Sequence, residues 1–161
     1  MSWGRDFHLT GDDGKPREPV DFRGKVVAVY FGYTHCPDVC PLAMAALAQS
    51  VRFLGDDAGR VQVLFVTVDP RRDKPAVLAR YVRSFDQRFL GLYGDKARTV
   101  ATAREFKVLA GKDHSAPVFL FGRDGSLRLI ASPDVTPYSL AHDMHLLLGR
   151  SWPLAPGLPA S

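Results

Sequence analysis

Cysteine is scarce in this sequence: 161 residues contain two, Cys36 and Cys40. A chain so poor in thiols cannot lean on a disulfide framework, and its stability must come from an apolar core. Long apolar runs are also missing. None approaches the roughly 20 residues that span a bilayer, and Met1–Leu9 lacks the apolar centre of a signal peptide. Concentrated basic charge is absent too. The net charge is +4 and the pI near 9.3, yet Arg71-Arg72 is the only adjacent basic pair. That pattern is a solvated surface with a leaning toward acidic partner proteins, and it argues against nucleic acid. No internal repeat is present.

What is there is an ordinary globular composition, 46% hydrophobic and 24% charged. The length fits one domain, expected over residues 1–150, followed by the proline-rich and aperiodic stretch "SWPLAPGLPAS", expected as a loose tail over 151–161. "KVVAVYFGY", Lys25 to Tyr33, is a β-branched and aromatic run behind Arg23-Gly24, the mark of a buried central strand. Pro41 then suits the first turn of a helix whose core face carries Leu47, Val51 and Leu54. A second strand, Val61–Val68, is followed by Asp69-Pro70 and a helix bearing Val77, Leu78, Tyr81, Val82 and Phe85, for which Asp73 is the expected cap. Phe89–Tyr93 reads as a weaker strand and Ala97–Phe106 as a third helix. Val118–Phe121 and Leu127–Ile130 pair across Arg123-Asp124-Gly125, and Tyr138–Leu148 forms a last helix. Asp13-Gly14 marks a leading hairpin. The order is that of an α/β, thioredoxin-like fold: a central mixed β-sheet flanked by helices, with an N-terminal β-hairpin.

Cys36 and Cys40 fall where the first long strand gives way to a helix. Unpaired N–H groups and the helix dipole there are expected to lower a thiol's pKa. At this spacing the sulfurs can converge, bonded to each other or pinching an ion. Soft thiolates favour Cu(I), and a Cys₂His set also suits Cu(II), so the histidines decide between metal and redox chemistry. His114 stands out because it precedes Pro117, which opens a strand. Thioredoxin-like folds place a cis-proline there, facing the cysteines, and on that likeness the Ala116–Pro117 bond is expected to be cis. His35 reads as a neighbour that points away, His142 and His145 as a polar helix face at i, i+3, and His8 carries no argument. Asp38 can tune the thiols or simply form a turn. Asp69 and Asp73 read as turn and cap residues at least as well as functional ones.

Three blocks together, "VYFGYTHCPDVCPLAMAAL", "VTVDPRRDKPAVLARYV" and "DHSAPVFLFGRDG", resemble the Sco/SenC family of copper-binding, thioredoxin-like proteins that help assemble the dinuclear copper centre of cytochrome c oxidase. The resemblance runs from about Phe7 to Leu148 and implies Cys36, Cys40 and His114 as copper ligands. It implies a metallochaperone carrying Cu(I) or Cu(II) to the copper-site subunit of the oxidase, working as a monomer and exchanging with other copper chaperones. The family works at the outer face of the bacterial inner membrane, or in the mitochondrial intermembrane space, held by an N-terminal helix that this sequence does not contain. It usually carries a longer excursion before the histidine than Gly111-Lys112 provides, so a short, preorganised approach to His114 is expected.

The rival reading is a thiol–disulfide oxidoreductase that uses Cys36 and Cys40 as its redox-active pair to reduce the oxidase cysteines. A dedicated reductase more often has C-x-x-C spacing and needs no histidine, which favours copper. A peroxidase of the peroxiredoxin kind would want Thr or Ser three residues before its reactive cysteine, where Tyr33 and Pro37 stand.

Overall fold

The structure, a computed structural model, describes residues 8–37, 39–110 and 117–149. Its centre is β3, Val26–Gly32, paired in parallel along its whole length with β4, Val61–Thr67, from Val26↔Val61 to Gly32↔Thr67. The connection runs through α1, Val39–Phe53. A second unit repeats the move: α2, Pro75–Arg83, leads from β4 to β5, Leu90–Tyr93, again in parallel. α3, Lys96–Ala110, carries the chain back across the sheet to β6, Val118–Phe121, which lies antiparallel to β3 and is followed by β7, Leu127–Ala131. The short leading strands β1, Leu9–Gly11, and β2, Pro16–Arg17, pair with each other, β1 docks on β5, and α4, Pro137–Leu147, closes the fold. The strand order is β2-β1-β5-β4-β3-β6-β7. Both hairpins turn where the sequence placed them, with Gly14 at φ 82° and Gly125 at φ 83°, a region in which a Cβ is strained.

Alternation along β3 splits the core into two layers. Val26, Ala28 and Tyr30 face α1, α2 and α4 through Met44, Leu47, Leu78, Val82, Leu140 and Met144. Val27 and Val29 face the opposite way, where Phe106 of α3 packs edge-on against Phe119 at 5.1 Å. Each such side chain stabilises the fold by roughly 1.5–3 kcal/mol on burial, so the two faces together hold β3 and the segment it delivers.

Two elements differ from expectation. α3 runs on to Ala110 instead of ending near Phe106, because Lys107-Val108-Leu109-Ala110 contains no glycine or proline to stop it. α2 is preceded by Lys74 at its cap position, with Pro75 opening the helix, and Asp73 does not cap it. Asp38, His114, the Ala116–Pro117 bond, the approach through Gly111-Lys112 and the tail 151–161 lie outside the described residues. Among the described residues no helix is long and apolar enough to cross a membrane.

The leading hairpin is tied down by a buried carboxylate. Asp12 accepts from the Gly91 amide at 2.8 Å and from Arg83 Nη2 at 2.8 Å, with 1% of its side chain exposed. Asp12→Ala would leave the Gly91 N–H without its acceptor. A loss of about 1–3 kcal/mol is expected, read as a lower urea midpoint at unchanged slope.

Candidate metal centre

β3 ends at Gly32, and the next five residues, 33–37, form a turn outside regular structure before α1 begins. Cys36 sits in that turn, half-buried, its amide donating to the Tyr33 carbonyl at 3.1 Å. Cys40 is the second residue of α1 and is buried, 4% exposed. Pro41 follows in the first turn, where its missing N–H costs no helical hydrogen bond. No disulfide joins the two cysteines, and the Cys36 thiol is within hydrogen-bond reach of Cys40.

The seat of Cys40 comes from the strands beneath it. The Tyr30 hydroxyl donates to Cys40 Sγ at 3.9 Å. Gly32 leaves room for the same sulfur: a Cβ there would lie 2.7 Å from it and 3.1 Å from the Phe65 ring. Burial pushes the Cys40 thiol up to about 11, and the neighbouring Cys36 thiol adds to this, while hydrogen bonds from the Tyr33 backbone and the Tyr30 hydroxyl pull the other way. For Cys40 the expected lowering at a helix start is therefore overturned, because desolvation outweighs the helix end. Three tyrosines surround the pair. Burial first, then the sulfurs, raise the pKa values of Tyr30 and Tyr81, and the Cys36 charge leads in raising that of the exposed Tyr33. The Tyr81 ring packs on Phe65 at 5.3 Å, and its buried hydroxyl has no hydrogen-bond partner among the described residues.

Asp73, expected from the sequence as a helix cap, has a different place. It is 1% exposed and accepts from the Thr34 amide at 3.0 Å, the Thr34 hydroxyl at 2.6 Å and the Thr67 hydroxyl at 2.6 Å. Asp69 keeps its turn role, joining Arg72 at 3.3 Å. A signal for Asp73 was present in two threonines, Thr67 at the end of β4 and Thr34 two residues past the end of β3, whose hydroxyls an acidic side chain between the strands can accept.

The histidines divide as their surroundings dictate. His35 is half exposed, with Nδ1 3.6 Å from Asp73 Oδ1. His142 lies beside Asp143 at 3.2 Å and His145 beside Asp57 at 3.8 Å, while His8 pairs with Glu18 at 3.2 Å. Among the described residues no third His, Cys, Asp or Glu joins Cys36 and Cys40 in a group able to hold a metal. The pair alone offers two soft donors in contact, the chemistry of a copper thiolate or a disulfide.

A dithiol at the carboxyl end of the central strand, one sulfur in a turn and one in the first turn of a helix, defines a thioredoxin-like thiol protein. The SCO1/SenC family model matches residues 1–149, and the chain belongs to that family. A mitochondrial SCO2 homologue from Mus musculus is 43% identical over an alignment of 133 positions that covers 74% of this chain and 52% of that protein. The chain spans about half the length of the first curated relatives it matches. Bradyrhizobium japonicum ScoI, solved with copper bound, is 34% identical with a TM-score of 0.80, covering 91% of this chain and all 100% of that one. Yeast Sco1 with copper bound is 26% identical with a TM-score of 0.81, covering 96% and 92% of the two chains.

Proposed function

We propose that this protein is a copper metallochaperone whose residues 1–150 form one domain, binding one copper ion through Cys36, Cys40 and His114. The observation that carries the reading is the pair of thiols within hydrogen-bond reach of each other, Cys36 half-buried and Cys40 buried, in a chain similar to ScoI and Sco1 proteins solved with copper bound. Copper is the cargo. Cys36 meets the ion first because it is the more open sulfur, and Cys40 gives up its proton as the ion settles. Release to a recipient proceeds by exchange of one sulfur at a time, with Cys36 leaving last for the same reason. The recipient is the dinuclear copper site of cytochrome c oxidase, reached from the periplasmic face of a bacterial inner membrane or from the mitochondrial intermembrane space. The protein acts as a monomer and accepts copper from other chaperones.

The test is copper content and absorption after anaerobic reconstitution. The parent protein is expected to take one equivalent and, as Cu(II), to show an intense sulfur-to-copper band. Cys36→Ser is expected to lose both, and His114→Ala to bind roughly tenfold or more weakly. A parent with only the weak band of nitrogen and oxygen ligation would overturn the ligand set.

The approach of the two thiols to within hydrogen-bond reach also favours a second reading, a thiol–disulfide oxidoreductase acting on the oxidase cysteines. Cys36 as thiolate would attack the partner disulfide, and Cys40 would resolve the mixed disulfide, leaving Cys36–Cys40 oxidised and the partner carrying two thiols. Cys40→Ser would then trap the partner covalently, an outcome that copper transfer does not produce.

A further inference from the structure

Of the two sulfurs, Cys40 is fixed by its helix and by the side chains beneath it, whereas Cys36 sits in a turn that no strand or helix holds. What fixes that turn is a buried acid 39 residues further along the chain. We propose that Asp73 is the positioning residue of the dithiol: it latches Thr34 to the end of β4 and so sets where Cys36 stands relative to Cys40. The inference rests on the dithiol being the working site.

The hydrogen directions are set by the partners. The Thr34 amide can only donate, and it points at Asp73 Oδ2 at 3.0 Å. The Thr67 oxygen already accepts from the Asp69 amide at 3.0 Å, so its proton is directed to Oδ2 at 2.6 Å. The Thr34 hydroxyl closes the set on Oδ1 at 2.6 Å. Three donors converging on one side chain call for a carboxylate, which offers only acceptors, and a neutral amide would turn an NH₂ toward one of them. Among the described residues no lysine or arginine pairs with Asp73, and the half-exposed ring of His35 lies 3.6 Å away. A buried carboxylate without a strong cation is a poor device for stability alone, since its desolvation is met only by hydrogen bonds. As an anchor it is well placed. Thr67 is opposite Gly32 in the β3–β4 register, so Asp73 ties the last residue of one strand to the turn leaving its neighbour, two residues before Cys36. Groups that orient metal-binding side chains from behind change affinity by roughly 10–100-fold when removed.

The experiment compares Thr34→Val and Asp73→Asn with the parent, using iodoacetamide alkylation of Cys36 and of Cys40, resolved by peptide mass, beside Cu(I) competition titration. Thr34→Val changes no charge, so an altered rate cannot come from electrostatics on the thiol, and it decides the matter if Asp73→Asn does not fold. Both variants are expected to alkylate Cys36 about tenfold faster than the parent, leave Cys40 slow, and bind copper roughly 10–100-fold more weakly. Folded variants that alkylate at the parent rate and keep its copper affinity would overturn the proposal and leave Asp73 a structural acceptor. If the parent takes no copper, the chaperone reading fails, while the alkylation of Cys36 still decides the role of Asp73.

Discussion

Gly32→Ala is expected to damage stability and copper binding together. The added Cβ would lie 2.7 Å from Cys40 Sγ and 3.1 and 3.2 Å from two carbons of the Phe65 ring. Phe65 cannot retreat easily, because Tyr81 packs on it at 5.3 Å and Tyr30 lies at 6.3 Å. Relief must therefore come from the sulfur or the start of α1. Overpacking of this kind costs about 1–3 kcal/mol, and a displaced ligand sulfur should weaken copper by tenfold or more. Gly91→Ala is the control, since the atoms its Cβ would meet first are those of the Leu78 isobutyl group, with neither sulfur among them. It should lower the urea midpoint as much or more, yet leave the copper titration of the folded protein unchanged. Equal copper affinity in parent and Gly32→Ala would mean that the Cys40 sulfur is not part of the site.

How much of this was legible in the sequence follows from how local each cause is. β3 and β4 announce themselves as continuous β-branched and aromatic runs because both their faces are buried, and the hairpins do so through Asp13-Gly14 and Asp124-Gly125. The dithiol was equally plain, as two cysteines bracketing the strand-to-helix junction. Asp73 was not. In "VDPRRD" it has the local look of a turn and cap residue, and only the parallel pairing of β3 with β4 brings Thr34 and Thr67 to it. The protonation of Cys40 was misjudged for a related reason. The helix-end argument counts neighbours along the chain, whereas the deciding influence is burial by residues from β3 and β4. Alternation along β3 could have revealed part of this, since Ala28, Tyr30 and Gly32 share the face on which α1 lies.

Oxidation is expected to have the largest effect of any treatment, taking copper binding from one equivalent to none. The two thiols are already within hydrogen-bond reach, so forming the bond between Cys36 and Cys40 needs little movement of the backbone. Each sulfur gives up its proton, the oxidant takes two electrons, and neither sulfur keeps the negative charge that holds Cu(I) or colours Cu(II). His114 alone would then remain of the proposed set, a single neutral nitrogen that offers little hold on copper in competition with buffer. The measurement is copper retained after gel filtration of protein whose disulfide has been confirmed by intact mass, followed by reduction, removal of the reductant and reloading. Recovery of the full equivalent on reduction makes the dithiol a switch between loaded and empty states, in which the copper and the thiol–disulfide readings use the same two sulfurs. Stoichiometric copper on the fully oxidised protein would remove both cysteines from the ligand set, and with them the proposed site.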